Sequence, residues 1–285
     1  MTATTVSGKT SPVARSASAL RPAYRGGSRR VPLWLVVALG AVVPLVVIVW
    51  WWIGAANGAV NTSVFSSPQK VLDTLRELAA DGTLGGALAI SLTRAGIGLV
   101  IGLAVGLFFG IVTGLSRIGG ALVDPTAQIL RTIPVLAILP LFVAWFGLTE
   151  LSKYLIIAFA AAAPIYINTS NGINRVDKKL LETAKVFDLS TLQTTFQVVL
   201  PAALPAIFNG LRLSVSISIL LLVAAENGNS SSGLGYLASQ GLQYFRVDLI
   251  LAIVIVYGIL GLLGNLLVSL LERISLPWLG KKGVR

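Results

Sequence analysis

The chain alternates long apolar runs with short polar joints. Residues 31–54 carry no charge and end near Trp50-Trp51-Trp52. At ~1.5 Å per residue such a run crosses the roughly 30 Å hydrocarbon layer, and tryptophans suit its interface. The apolar part of a cleaved signal peptide is shorter, about 7 to 15 residues, so this run reads as a retained first span. Ser67-Pro68-Gln69 opens a short helix in which Val71, Leu72, Leu75 and Leu78 share a face, with Lys70, Asp73, Arg76 and Glu77 largely away from it. That pattern predicts an interfacial helix. A second span is predicted over residues 95–114, just after Arg94, with Gly98, Gly102, Gly106, Gly110 and Gly114 lining one face for close helix contact. A third lies within residues 123–148, interrupted by Pro134 and Pro140. A fourth covers about 154–171, a fifth 206–225 and a sixth 249–271. The expected fold is all-α: a polytopic membrane protein with six transmembrane helices, occupying residues 31–275.

Composition points the same way. The 285 residues are 55% hydrophobic and 12% charged, with a mean hydropathy of +0.85, whereas soluble domains are about 25% charged. With neither cysteine nor histidine, disulfides, thiolate or histidine metal sites and the corresponding nucleophiles and bases are excluded. The net charge of +11 raises the question of nucleic acid, but the basic residues form no single stripe, so nucleic acid is not an expected partner. Their distribution follows membrane sidedness instead. Residues 1–30 hold Lys9, Arg15, Arg21, Arg25, Arg29 and Arg30 with no acid, and read as a disordered basic tail. Six spans put that tail on the same face as Arg117, Arg175, Lys178, Lys179 and Lys185, together with Arg273 and the C-terminal tail, 276–285, which carries Lys281, Lys282 and Arg285. Only Lys70, Arg76, Arg94, Lys153 and Arg246 fall on the other face. The basic-rich face is the cytoplasmic one, so both termini are expected in the cytoplasm, with lipid around the spans.

The joint between the fourth and fifth spans, on that cytoplasmic face, has a pattern of its own. Leu180, Leu181, Ala184 and Phe187 recur at helical spacing, which predicts an amphipathic helix over about 177–187. Asp188-Leu189 turns the chain. Ser190-Thr191-Leu192-Gln193 reads as a capping box that starts a second short helix, which Pro201 is expected to end before Pro205 and the fifth span. An ordinary interfacial loop satisfies the same spacing; a compact knob across the cytoplasmic mouth is the other reading.

This joint resembles the signature of membrane subunits of bacterial ABC importers: Glu-Ala-Ala, three residues, Gly, nine residues, Ile, one residue, Leu-Pro. The chain has Glu182-Thr183-Ala184, then Asp188 in the Gly place, Val198 in the Ile place, and Leu200-Pro201, all in register. Thr183 departs from a small Ala, and Asp188 from a Gly that readily takes positive φ. Ser91-Leu92-Thr93-Arg94, Arg131-Thr132-Ile133-Pro134, Phe146-Gly147, Pro164-Ile165, Val223-Ala224-Ala225-Glu226 and Gly233-Leu234-Gly235-Tyr236 extend the resemblance over about residues 65–275. Together they are most similar to permeases of the nitrate, taurine and aliphatic sulfonate group. The resemblance implies a multi-pass permease in the bacterial inner membrane that imports a small anion, a sulfonate first and nitrate or a small nitrogenous metabolite second. It implies that the joint is a coupling loop seated on a cytoplasmic ATP-binding subunit, with an extracytoplasmic solute-binding protein and a second permease copy completing the assembly. No Gly-x-x-x-x-Gly-Lys-Ser/Thr sequence is present, so ATP and its magnesium belong to the partner, and no cofactor is expected on this chain.

Arg131, Arg212 and Glu226 are the ionisable residues in or beside spans, and so the candidates for a translocation pathway. A structural place near a span end, where the cost of a charge is small, is the favoured reading of each, and Arg131 is the first candidate for attracting an anion. A channel or ion-driven carrier needs no ATPase and leaves the two-helix pattern of the loop without a use. An intramembrane enzyme lacks paired carboxylates within the spans.

Overall fold

The computed structural model describes residues 33–59, 65–227 and 230–278. The basic tail of residues 1–30 and most of the C-terminal tail lie outside them. Among the described residues there are helices and no strands. The described residues divide into two units between Trp50 and Trp51. The helix α1, Leu33–Ala56, begins in the first; it is apolar throughout with Pro44 inside it. The second unit holds α2 (Pro68–Ala80), α3 (Thr83–Leu115), α4 (Arg117–Thr132), α5 (Val135–Phe146), α6 (Glu150–Asn174), α7 (Lys178–Val186), α8 (Thr191–Thr194), α9 (Leu200–Glu226), α10 (Leu234–Gln243) and α11 (Val247–Ser275). Five stretches are long and apolar enough to cross a membrane: Leu39–Ala56, Thr83–Leu115, Glu150–Asn174, Thr191–Glu226 and Val247–Ser275. The pair α4–α5, bent by 98°, makes a sixth when taken as one broken span.

Three boundaries differ from those expected. The second span starts at Thr83 and not at residue 95, so Arg94 lies inside it. A lone charge would be expelled from such a helix, but this guanidinium is fully paired, as shown below. The third span breaks at Ile133-Pro134 only. Steric conflict with the proline ring drives the preceding residue to extended backbone, and Ile133 sits at φ −80°, ψ 124°, whereas Pro140 is carried within α5. Pro201 does not end a helix. The stretch Thr195–Val199 is wound as a π-helical turn in which the Leu200 N–H donates to the Thr195 carbonyl, and the helix runs on from Thr191 to Glu226. The wider turn falls immediately before the residue whose ring would otherwise crowd the preceding carbonyls.

The short helices follow local chemistry. Ser67 caps α2 by accepting from the Lys70 N–H, with Pro68 at the first position. Val71 and Thr74 are buried, while Leu72 is exposed, so the buried face of α2 is narrower than its leucines suggest. Thr74 donates to Asp248 at 2.8 Å, fixing α2 to the start of α11.

The core is built on α3, α6 and α9. Every fourth residue of α3 from Gly98 to Gly114 faces α6, and a Cβ at any of them would lie 2.6–2.7 Å from its nearest atom: Ile157 Cβ at Gly98, the Ala158 and Ala162 carbonyls at Gly102 and Gly106, Thr169 Cβ at Gly110, and Ile173 Cβ at Gly114. No side chain fits there, so the seam sets the distance between the two helices. On its other side α6 meets α9. A Cβ on Gly172 would lie 2.7 Å from that of Ala206, and Ser214 donates to the Ala161 carbonyl at 2.6 Å. Arg212 joins α9 to α11 through Glu272 at 2.6 Å.

Overpacking this seam leaves no room for relaxation. Gly106→Leu is expected to destabilise by about 3 kcal/mol or more and to abolish the monodisperse peak of the detergent-solubilised protein in size-exclusion chromatography. Gly96→Leu, on the same helix where nothing lies within 4 Å, is expected to leave that peak intact.

Candidate functional site

The joint between α6 and α9 folds as a helix, a tight turn and a second helical start. Asp177 caps α7 by accepting from the Lys179 N–H at 3.0 Å. At the other end, Phe187 caps and Asp188 takes φ +50°. The Leu189 N–H donates to the Ala184 carbonyl at 3.1 Å and the Asp188 N–H to the Lys185 carbonyl at 3.0 Å. This is the paired-bond helix stop that favours a left-handed residue; the aspartate occupies it where glycine would be unstrained. Ser190 and Gln193 then form the reciprocal capping box, at 3.3 and 2.9 Å.

The residues of the signature divide by direction. Ala184 is buried, and Leu181 and Leu200 pack against the small cluster of Ile173, Val199 and Ala203. Val198 and Pro201 are half-buried. Glu182 and Thr183 are exposed, the Thr183 hydroxyl donating to the Lys179 carbonyl at 2.8 Å. Glu182 makes no ion pair among the described residues. Val186, Phe187, Leu192 and Phe196 are 81, 73, 72 and 66% exposed. A small loop that buries its alanine and presents two phenylalanines, a leucine and a valine outward has the character of a contact surface.

A cavity of about 830 Å³ lies among α3, α4, α6 and α9. Its wall is mostly apolar, with Phe109, Leu122, Phe159, Leu213 and Ile217, and includes the polar groups of Thr126, Tyr166 and Asn168. Arg131, in the last turn of α4, is its one charged lining residue. Tyr166 donates to Asp124, which ties α4 to α6 beside the cavity, and Asn209 donates to Asn168 at 3.0 Å. The volume matches that of small-molecule sites, and one cation in an apolar wall suits an anion with a hydrocarbon part. Arg212 and Glu226 do not line it; the first holds Glu272 and the second belongs to a separate cluster.

That cluster lies at the opposite end of the bundle from the loop, where α3 and α6 begin and α9 ends. Glu226 is fully buried and Arg94 is 2% exposed. All five guanidinium N–H groups are used. Nε and Nη2 grip Glu150 bidentately, both at 2.6 Å, and Nη1 reaches Glu226 and the Ser232 carbonyl, each at 2.7 Å. Nη2 also reaches the Ser232 hydroxyl at 3.2 Å. The Glu226 carboxylate accepts further from the Ser91 hydroxyl at 2.8 Å and the Gly235 N–H at 2.8 Å. Lys153 donates to Glu150 at 2.8 Å and to Ser230 at 3.2 Å. Two cations thus meet two carboxylates, and the cluster is neutral. Sequence reading placed Arg94 outside its span and passed over Glu150 and Lys153. The local signal that could have found it is Ser91 and Arg94, three apart on one face of an otherwise apolar helix.

Comparison with known proteins places this architecture. The family described as binding-protein-dependent transport system inner membrane component matches residues 98–281. The putative aliphatic sulfonates transport permease protein SsuC of Bacillus subtilis is 43% identical over 84% of this chain and 87% of its own length. The taurine transport system permease protein TauC of Escherichia coli is 34% identical over 88% and 94%. A solved structure of an amino acid ABC transporter shares the fold, with a TM-score of 0.56 over 70% of this chain and 97% of that one, at 21% identity. The chain therefore belongs to the binding-protein-dependent transport system inner membrane component family, as a multi-pass permease.

Proposed function

We propose that this chain is the translocating subunit of an importer for aliphatic sulfonates or related small organic sulfonates such as taurine, worked by a separate ATP-binding subunit on its cytoplasmic side. The observation that carries this reading is the 177–201 loop. Its signature residues fold as a compact knob, and its apolar side chains Val186, Phe187, Leu192 and Phe196 stand exposed among the described residues. The ATP-binding subunit grips that knob, a solute-binding protein delivers the solute at the other end, and a second copy of the chain completes the passage. The positive-inside distribution of charge supports both termini lying on the side of the loop. The substrate reading rests on the names of the relatives and on the cavity, where Arg131 supplies the one guanidinium for an anionic head and the phenylalanines and leucines receive the carbon chain.

The ATP-binding and solute-binding proteins reconstituted with this chain are expected to hydrolyse ATP faster when the loaded solute is an alkanesulfonate. A chain that copurifies with no ATPase and shows no such stimulation contradicts the reading. Glu182→Lys, on the exposed face of α7, is expected to abolish uptake and loosen the ATPase without changing membrane insertion, as is Ala184→Trp through displacement of α7 from its seat. Asp188→Gly, in contrast, relieves the left-handed strain. It is expected to raise stability by about 1 kcal/mol, read as a higher thermal midpoint in detergent, with uptake retained. Arg131→Met is expected to raise the KM for alkanesulfonate uptake about tenfold or more, as befits loss of a charged hydrogen bond.

A further inference from the structure

The charged cluster opposite the loop has a plane along which it can part without stranding a charge. Glu150 and Lys153 sit three residues apart on the first turn of α6 and form an ion pair of their own at 2.8 Å. Arg94 on α3 and Glu226 on α9 form the other at 2.7 Å. Each half is neutral. Joining them are the two 2.6 Å bonds from Arg94 to Glu150 and the 3.2 Å bond from Lys153 to Ser230.

The halves differ in what anchors them. Glu226 is fully buried and accepts from Ser91 and Arg94 on α3, from the Tyr257 hydroxyl on α11 at 3.4 Å and from the Gly235 backbone, and the Ser91 hydroxyl that donates to it accepts in turn from the Leu234 N–H at 2.9 Å. Breaking that half would leave a carboxylate and a guanidinium uncompensated away from water, the costliest arrangement for a buried pair. The Glu150 side chain is 47% exposed, so water can replace Arg94 when the two separate. The first turn of α6 also lies ahead of the glycine seam, which begins where Gly98 meets Ile157, and follows Gly147 at φ +71°. Of that turn, Ser152 and Lys153 are buried, and the seam's first contact beyond it on α6 is the Tyr154 carbonyl against Gly98.

We propose that Glu150 is a positioning residue for transport: it clasps the first turn of α6 to Arg94 and the Ser230–Ser232 segment, and this clasp releases and re-forms in each cycle while Arg94–Glu226 stays closed. The proposal rests on the ATP-driven function above, since it assigns the clasp to the end of the bundle that must open when the loop end is driven shut. Closure at the outer end then depends on a contact that is strong when formed and hydrated when released, which suits a step that must run both ways.

The test uses the full chain with its ATP-binding and solute-binding partners, and compares Glu150→Gln, Glu150→Asp and Glu226→Gln. Glu150→Gln is expected to raise ATP hydrolysis without solute several-fold and to lower its stimulation by loaded binding protein, with Glu150→Asp recovering much of the coupling. In hydrogen exchange on the purified chain, Glu150→Gln is expected to speed the amides of residues 154–156, which donate to the first-turn carbonyls of α6, tenfold or more while Leu234 and Gly235 stay protected. Glu226→Gln is expected to expose those two amides. Unchanged solute-free hydrolysis in Glu150→Gln overturns the proposal, as does equal loss of Leu234 and Gly235 protection in Glu150→Gln and Glu226→Gln, which would make the cluster a single structural rivet. A wild-type assembly with no solute-stimulated hydrolysis would instead contradict the proposed function, and the exchange comparison would still decide whether the cluster divides.

Discussion

A buried carboxylate at the end of α9 and a buried guanidinium in α3 are mutually obligatory. Each alone would cost several kcal/mol in a low-dielectric interior. Together, with every guanidinium N–H satisfied and the carboxylate held by serine and backbone donors, they let a charged residue sit a third of the way along an apolar helix. The pairing determines that α3, α9 and the segment after Ser230 converge at one end of the bundle. The glycine seam then carries α3 along α6, and the Gly172 and Ser214 contacts carry α6 along α9. The seams impose spacing and the ion pair imposes register.

This arrangement places two polar features at opposite ends of the same two helices. The signature loop joins the last turn of α6 to the start of the Thr191–Glu226 stretch, and the charge cluster joins the first turn of α6 to the last turn of α9. Between them runs close-packed helix in which glycines leave α3 and α6 no space to absorb a displacement. A push on the loop therefore has a stiff path to the far end. The α4–α5 pair is different in kind. It is broken at Ile133-Pro134, and α5 has no buried residue in the single chain. The cavity lies where this looser pair faces the stiff one, and Arg131 stands just before the break.

Much of this was legible in the sequence because its causes are local. Spans follow from apolar length, the α2 start from Ser67-Pro68, the loop from the Ser190–Gln193 capping box, and the α3 seam from glycines at intervals of four. The rest depends on pairings across the chain. Arg94 meets Glu150 and Glu226 at separations of 56 and 132 residues, so nothing near Arg94 says that its charge is cancelled, and hydropathy alone ends the span there. The continuity of the helix through Pro201 depends on one π turn, which propensity does not encode. Asp188 in a glycine place shows the opposite case: the signature located the turn, and the structure shows the turn formed at φ +50° with both of its hydrogen bonds.

In the proposed function the outward face of the loop is covered by an ATP-binding partner. The chain has no cysteine, so a single cysteine at Leu192 can be labelled with a maleimide without background, before and after assembly with that subunit. Labelling of Leu192→Cys is expected to slow at least tenfold on assembly, while a control cysteine at Glu77, an exposed position on α2 outside the spans and far from the loop, reacts at the same rate in both states. Equal labelling of Leu192→Cys with and without the ATP-binding subunit would contradict it.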